Sequence, residues 1–167
     1  MITTALSAVI GAARAKVWHA ITDPKQVIRW DEPRLALLEP VTAYPRVGQH
    51  VRWRYHLGAI PVVYHERTVE VVPEQRLRST IAMGLFRFQQ TWSLVDESGD
   101  PQRTRLGLRL TAANAIPVVS GLLDRFAVRR LSAEYIDTKL RALQEWCESH
   151  SSPGSDPMRR TSEILDI

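Results

Sequence analysis

The rest of the chain must provide a surface for one long segment near the C-terminus. This segment is Asn114–Ser149, NAIPVVSGLLDRFAVRRLSAEYIDTKLRALQEWCES. Apolar residues recur in this segment at steps of three and four, which places them on one face of a helix. They are Leu122, Phe126, Ala133, Ile136, Leu140, Leu143 and Cys147. A helix with one broad apolar stripe must bury that stripe against another apolar surface. The pattern predicts one long amphipathic helix lying on the elements that precede it.

Most of the chain before this helix alternates apolar and polar residues in short runs, as half-buried strands do. The clearest run is His50–Leu57, with Val51, Trp53 and Tyr55 on one face. Short turns separate the runs, and Ser98-Gly99-Asp100-Pro101 is the strongest of these turns. Successive strands joined by short turns predict an antiparallel meander. The predicted strands are Thr3–Ile10, Leu35–Thr42, His50–Leu57, Val62–Val72, Arg76–Met83, Phe86–Val95 and Arg103–Ala112.

Two short helices are predicted between the first two strands. The first covers Ala13–Ile21, where apolar residues have helical spacing. The second starts at Asp23-Pro24, because Asp caps free backbone N–H groups and Pro is tolerated at the first helical position. Asp31-Glu32-Pro33 ends this helix just after Trp30.

The length of 167 residues and the hydrophobic content of 44% fit one domain, which we assign to residues 1–150. Residues 151–167 contain a run rich in Pro, Gly and Ser and are predicted to form a flexible tail. No apolar run approaches the roughly 18–20 residues that span a bilayer. No basic residue precedes Ala5–Ala13, so this segment is not read as a signal peptide and a cytoplasmic location is expected. Cys147 is the single cysteine and is expected to be a buried thiol.

The order of strand, two small helices, meander and long helix resembles the helix-grip superfamily of START-related and birch-pollen-allergen-like proteins. The bacterial polyketide cyclase/dehydrase-like (SRPBCC) members are the most similar. The resemblance is carried by Ile10-Gly11-Ala12 before Val17-Trp18, by Ile21-Thr22-Asp23-Pro24, Trp30 and Val69-Glu70-Val71-Val72-Pro73, and by Tyr135–Glu148. It implies an α+β helix-grip fold in which a curved antiparallel sheet of six or seven strands wraps around the long helix, with an apolar cavity between them. Such members bind lipids, cyclise polyketides, bind hormones or act as co-chaperones, so the fold alone does not choose a function.

The candidate ligand-binding residues are those predicted to face this cavity. They are Trp53, Tyr55, His65, Arg67, Met83, Phe86, Phe88, Gln90 and Trp92 from the strands, and Leu122, Leu123 and Phe126 from the helix. His65 and Arg67 are included because placing Val69 and Val71 inward places them inward too. Two interpretations remain open: the aromatic residues fill a solid core, or they line a pocket. Likewise, the inward polar groups either bond to one another or orient a ligand.

Seven arginines fall on the outward parity of the strands: Arg52, Arg54, Arg76, Arg78, Arg87, Arg105 and Arg109. Glu66 and Glu70 on a neighbouring strand are predicted to pair with the first four. The other three form a small basic patch without exposed aromatic residues for base stacking, so no nucleic-acid partner is expected. The histidines lack metal-ligand spacing, and no phosphate loop or nucleophile elbow occurs. No metal and no cofactor are therefore expected.

Three functions fit these observations. The first is a non-enzymatic carrier or sensor of a hydrophobic small molecule such as a lipid, isoprenoid or polyketide. The second is a cyclase or aromatase in which His65, Arg67, Tyr55 and Gln90 polarise and deprotonate a bound polyketone. The third is a protein-interaction module similar to the Hsp90-activator relatives. A carrier needs a void with few polar groups, and a cyclase needs polar groups that converge on one point.

Truncation of the chain after Ser152 tests the assignment of the tail. The removed residues are polar and rich in Pro, so they offer little apolar area to bury. We expect the free energy of unfolding, measured by urea denaturation, to change by less than about 0.5 kcal/mol. A substantial loss of stability would show that Ile164 and Leu165 dock on the domain.

Overall fold

The computed structural model describes residues 2–57, 59–84, 86–112 and 125–149, without the side chains of residues 34, 35, 57, 86 and 125–128. The predicted tail and residues 114–124 of the predicted helix lie outside the described residues. The elements are β1 (Ile2–Ile10), α1 (Arg14–Thr22), α2 (Pro24–Trp30), β2 (Arg34–Leu37), β3 (His50–Leu57), β4 (Ile60–Val72), β5 (Arg76–Met83), β6 (Phe86–Glu97), β7 (Asp100–Ala112) and α3 (Arg125–Ser149).

The seven strands form one curved antiparallel sheet in the order β1-β7-β6-β5-β4-β3-β2. The meander runs from β2 to β7, and β1 pairs beside β7 with Ile10 opposite Thr104. The predicted bounds of β3 and β5 are confirmed. The strand predicted over residues 35–42 is shorter and ends at Leu37, since Pro40 has no N–H to donate to a ladder. The α+β helix-grip fold is confirmed.

α3 lies across β1 and β7 and also contacts α1 and α2. Its predicted stripe is confirmed at Ile136, Leu140, Leu143 and Cys147, which are all buried, and Ala133 of the same stripe is half-buried. At its last turn the Glu148 carboxylate accepts a hydrogen bond of 2.9 Å from the backbone N–H of Gly11, which follows β1. None of the helices described is both long and apolar enough to cross a membrane.

The two short helices support the C-terminal half of α3. Asp23 caps α2 as predicted, its side chain accepting from the Lys25 N–H at 2.9 Å, and Pro24 is the first helical residue. The Trp30 indole donates to the Ala20 carbonyl at 2.8 Å and so ties the end of α2 to α1. The Trp146 indole of α3 donates to the Gln26 side chain at 3.3 Å.

A buried ion pair joins α3 to the end of α2. The ammonium of Lys139 bonds to the carboxylate of Asp31, and the two side chains are only 5% and 2% exposed. The Lys139 Nζ also lies 4.9 Å from the ring centre of Tyr135, 5.7 Å from that of Trp30 and 5.9 Å from that of Tyr55. Aromatic faces stabilise a desolvated cation at such distances. The pair is not predicted from the sequence, where Asp31 is interpreted as a helix stop and Lys139 is not among the residues of the apolar stripe.

The predicted facing of β4 is wrong between residues 64 and 68. The pairing of β4 with β5 shifts between Thr68 and Glu70, so Val69 is the extra residue of a β-bulge. A bulge reverses which side chains face inward. His65 is therefore half-buried and Arg67 exposed on the outer face, while Tyr64, Glu66 and Thr68 are buried on the inner face.

The outward position of the seven arginines is confirmed, but their predicted partners are only partly right. Glu70 pairs with both Arg76 and Arg78, at 3.3 and 3.1 Å. Glu66 is buried, and Arg52 pairs instead with Glu39. Arg105, for which the sequence predicts no carboxylate partner, pairs with Glu97 at 2.8 Å. Much of the positive charge on the outer face is thus neutralised locally.

Because the apolar stripe of α3 is buried, a charge placed on the stripe should destabilise the protein more than a charge placed on the exposed face. Leu140→Asp places a carboxylate at a position that is 3% exposed, whereas Leu131→Asp places it at one that is 63% exposed. We expect the first to lower the free energy of unfolding by more than about 3 kcal/mol and the second by less than about 0.5 kcal/mol. Urea denaturation compares them, and equal losses would show that the stripe does not face a core.

Because Lys139 and Asp31 form a buried ion pair, the effects of substituting the two residues on the free energy of unfolding should not add. Lys139→Met leaves Asp31 as a buried charge without its cation, so we expect a loss of about 3–5 kcal/mol in the free energy of unfolding. Adding Asp31→Leu removes that charge, and we expect the double variant to recover most of the loss. A double-mutant cycle in urea measures both effects. Losses that simply add would contradict direct pairing of the two groups.

Candidate ligand-binding site

One end of the inner face of the sheet, next to α1 and α2, is packed by aromatic side chains. Trp30 and Trp92 meet edge to face with ring centres 6.4 Å apart, and Tyr44 meets Trp53 in the same manner at 6.0 Å. Trp53 is fully buried, and Trp30 and Trp92 are 6% and 4% exposed. This end is therefore a packed core, which agrees with the interpretation that the aromatic residues fill a solid interior.

Glu66 is held within this packed end by two donors. The Trp53 indole donates to one carboxylate oxygen at 2.9 Å, and the Tyr44 hydroxyl donates to the other at 3.1 Å. A buried carboxylate is stable only when such hydrogen bonds replace its hydration. Glu66 therefore anchors the segment that carries Tyr44 against β3 and β4.

A row of three buried polar side chains crosses the centre of the inner face. Thr68, Ser79 and Gln90 are in register on β4, β5 and β6, and they are 1%, 2% and 4% exposed. Within the described part of the chain, Oγ1 of Thr68, Oγ of Ser79 and Oε1 of Gln90 have no hydrogen-bond partner. Each such atom costs about 1–3 kcal/mol when buried, and native proteins keep few of them. We call these three residues the polar row.

A small cavity adjoins the polar row. Its volume is about 10 Å³, which is close to the space that one water molecule needs. It is lined by Ile21, Val27, Trp30, Tyr44, Glu66, Leu77, Gln90, Trp92 and Lys139. The lining thus places Glu66, Gln90 and Lys139 around one point, although the first and last of these already have partners.

The opposite end of the inner face keeps apolar side chains that are only half-buried. Met83 lies at the end of β5, Phe88 near the start of β6 and Val62 near the start of β4, and all pack against the core from its edge. Tyr135 of α3 is half-buried in the same manner. Together these four residues form what we call the apolar end of the concave face.

The predicted ligand-binding residues are distributed over these regions. Trp53, Tyr55 and Trp92 belong to the packed core, Gln90 to the polar row, and Met83 and Phe88 to the apolar end. Leu122 and Leu123 and the side chains of Phe86 and Phe126 lie outside the described part. His65 and Arg67 face outward, and the His65 ring stacks on His50 with ring centres 5.5 Å apart.

The site contains residues that sequence reasoning misses. Thr68 and Glu66 fall on the outer face of the predicted strand because alternation alone does not show the bulge at Val69. Ser79 lies between Leu77 and Ile81 on β5, and the inward residues of this strand are correctly predicted. The same alternation therefore predicts that Ser79 faces inward. Lys139 stands within the apolar stripe of α3, three residues after Ile136, and this is the signal that a buried partner exists.

The positions of the candidate catalytic groups test the cyclase hypothesis. The predicted cyclase group is not brought together, because His65 and Arg67 are on the outer face and Tyr55 and Gln90 on the inner one. Burial raises the pKa of the Cys147 thiol to about 11, so this thiol is protonated at neutral pH and is a poor nucleophile. Among the residues described, no three His, Cys, Asp or Glu side chains are grouped so as to hold a metal ion.

A groove of about 770 Å³ opens between α2 and the segment of residues 36–44. Its lining includes Ile28, Leu37, Leu38 and Val41, so much of it is apolar. Tyr44 lines both this groove and the small cavity beside the polar row. The Tyr44 side chain, held by Glu66, thus separates the groove from the interior.

Comparison with solved structures agrees with this architecture. The protein TTHA0849 from Thermus thermophilus is 26% identical, with a TM-score of 0.70 over 90% of this chain and 99% of its own. A START superfamily protein from Mycobacterium smegmatis is 15% identical, with a TM-score of 0.71 over 88% and 97% of the two chains. The Zhui aromatase/cyclase from Streptomyces sp. R1128 is 17% identical, with a TM-score of 0.66 over 90% and 95%. The last two likenesses show the fold alone.

Comparison of the sequence with known proteins is more specific about the family. No curated protein matches this chain. A family model described as polyketide cyclase / dehydrase and lipid transport matches residues 1–148, which include every element of the fold except the last residue of α3. The START-like helix-grip architecture agrees with this match, and the chain belongs to the polyketide cyclase/dehydrase and lipid-transport family.

Proposed function

We propose that this protein binds a hydrophobic small molecule between the concave face of the sheet and α3. The observation that carries the proposal is the apolar end, where Met83, Phe88, Val62 and Tyr135 stay half-buried at the edge of the core. Family membership supports it, since lipid transport and polyketide chemistry both require an apolar ligand to be held. A lipid, an isoprenoid or a polyketide fits this description.

The energetics of such a site are sufficient for useful affinity. A ligand that buries about 400 Å² of apolar surface gains about 10 kcal/mol at roughly 25 cal/mol per Å². Immobilising the ligand and ordering the side chains around it consume part of this gain. A dissociation constant in the micromolar range corresponds to about 8 kcal/mol. The packed aromatic core contributes rigidity to the site and leaves the ligand to the apolar end.

The polar groups of the interior favour binding over cyclase chemistry. Glu66 accepts from Trp53 and Tyr44, and Lys139 is paired with Asp31, so both are engaged in holding the fold. A general base must be within hydrogen-bond reach of the proton that it removes, and His65, the predicted base, is on the opposite face of the sheet. We therefore favour a carrier or sensor over an enzyme.

Titration with the neutral, environment-sensitive dye Nile red tests the proposal. We expect saturable binding with a micromolar dissociation constant, because the apolar end removes the dye from water. Phe88→Asp should abolish this binding, since it places a charge among the half-buried apolar residues. Phe88→Ala should weaken the binding without introducing a charge.

Val95→Asp is the matched control for these variants. Val95 lies on the same strand, is 53% exposed and faces outward, so the same charge should leave dye binding unchanged. Thermal denaturation of each variant shows whether a loss of binding reflects a loss of the fold. An absence of saturable binding by the wild-type protein, or equal effects of Phe88→Asp and Val95→Asp, would overturn the proposal.

A further inference from the structure

The outer face of the sheet has a depression of its own, on the side away from the proposed ligand site. Its volume is about 620 Å³, which is within the range of small-molecule sites. It lies over β1, β5, β6 and β7 and also reaches Glu70 of β4. Gly107 has no side chain here, and Oγ of Ser93 lies 2.6 Å from the place where its Cβ would be. We call this region the outer depression.

Arg109 lies within the outer depression and has no carboxylate beside it. Its register partners on the two neighbouring strands are Thr91 of β6 and Ala5 of β1. In the part of the chain that the structure describes, Arg105 of the same strand pairs with Glu97, whereas Arg109 forms no ion pair. Cross-strand charge pairing therefore explains Arg105 but does not explain Arg109.

The nearest neighbours of Arg109 are mostly neutral side chains that can donate hydrogen bonds. Besides Thr91, they include the diagonal neighbours on β6 and β1, about 7–8 Å away. All of these carry a hydroxyl or an amide group, and arginine itself has five N–H donors and no acceptor. The diagonal neighbours are Thr3, Ser7, Gln89 and Ser93. A ligand placed on Arg109 thus meets many donors, which suits a group rich in acceptor oxygens.

The charged residues of the outer depression give it a positive charge. They are Arg76, Arg78, Arg109 and Glu70, three cations and one anion, with a formal charge of +2. The Glu70 carboxylate is shared by Arg76 and Arg78, at 3.3 and 3.1 Å, so it neutralises only one of these two arginines. A positive concave surface attracts anions and repels cations. The outer depression therefore favours an anionic ligand.

A phosphate group matches this arrangement better than a carboxylate does. Arg78 and Arg109 are both in register with Thr91, on the strands to either side of it, so their Cα atoms are about 10 Å apart. A tetrahedral phosphate above Thr91 can accept from both sides and from the hydroxyl between them, whereas the two oxygens of a carboxylate lie in one plane. Phosphate also carries more charge, and arginine binds it through paired N–H groups.

We propose that the outer depression is a second binding site, which takes a small soluble molecule with a phosphate group held between Arg78 and Arg109. The site goes beyond the proposed function, because it lies on the opposite face of the sheet and shares no residue with the apolar end. A volume of about 620 Å³ is far more than one phosphate fills. Gln89 and Ser7 line the remaining space, so a polar organic part fits there.

NMR titration of the full chain with pyrophosphate tests this proposal. We expect saturable shifts of the backbone amide signals of Thr91, Ser93 and Arg109, with a dissociation constant in the millimolar range or below. The signal of Leu140, in the core on the other side of the sheet, should not move. The ionic strength is kept at about 50 mM, because salt screens exposed charges. Acetate at the same ionic strength should give no saturable shifts.

Two pairs of substitutions locate the phosphate. Arg109→Gln should weaken pyrophosphate binding at least about tenfold, because it removes a charged donor. Arg103→Gln is its matched control and should change the affinity less than about twofold, since Arg103 is exposed on the same strand about 20 Å away. Thr91→Val should weaken binding about fivefold by removing one hydroxyl. Thr80→Val is its control, because Thr80 is exposed on β5 outside the outer depression.

The outcomes that would overturn the proposal are distinct from those that test the proposed function. Shifts that do not saturate, or equal losses of affinity in Arg109→Gln and Arg103→Gln, would show general charge attraction without a site. Vesicles of equal parts phosphatidylcholine and phosphatidic acid provide a further test. Binding to these vesicles that depends on Arg109, without binding of pyrophosphate, would show a membrane contact and overturn the proposal. Nile red binding reports on the apolar end alone, so either site can fail while the other stands.

Discussion

The buried pair of Lys139 and Asp31 fixes α3 against the end of α2, and the geometry of the interior depends on that contact. Apolar packing of Ile136, Leu140 and Leu143 presses the helix onto the sheet, but it is non-directional. An ion pair in a desolvated place requires defined positions of both partners, because desolvation offsets its attraction unless the geometry is good. Asp31 immediately follows α2, and Lys139 is in the middle of α3. The pair therefore fixes the middle of α3 relative to the end of α2.

The bulge at Val69 determines the chemistry of the concave face. If the alternation ran unbroken back from Val71 through Val69, His65 and Arg67 would face inward. The bulge breaks this alternation. With it, Glu66 and Thr68 face inward, and Glu66 finds two donors in Trp53 and Tyr44. The charged residues buried in the described part, Asp31, Glu66 and Lys139, thus have a summed formal charge of −1.

Much of the fold can be predicted from the sequence, because uninterrupted alternation specifies a strand and its facing. β3 and β5 have the predicted bounds, and the predicted inward residues of β6 and β7 are buried or half-buried where their side chains are described. The facing of β4 cannot be predicted, since an extra residue in one strand changes the pairing with its neighbour and leaves no mark in the alternation itself. Lys139 and Asp31 escape prediction because lysine and aspartate are exposed by default and their contact joins residues 108 positions apart. The candidate site depends on both irregularities, so it is predicted less well than the fold.

The concave face has three regions: the aromatic core, the polar row and the apolar end. Each would contribute differently to the proposed binding of a ligand. The aromatic core next to α1 and α2 is closed and supplies stability without room for a guest. The apolar end leaves Met83 and Phe88 half-buried, so an apolar body placed there gains burial that the described residues do not complete. The polar row lies between them, where Gln90 is two residues from Phe88 and two from Trp92 on one strand. Apolar burial provides affinity but discriminates weakly between molecules of one size, so we expect the proposed site to accept apolar ligands of similar size alike.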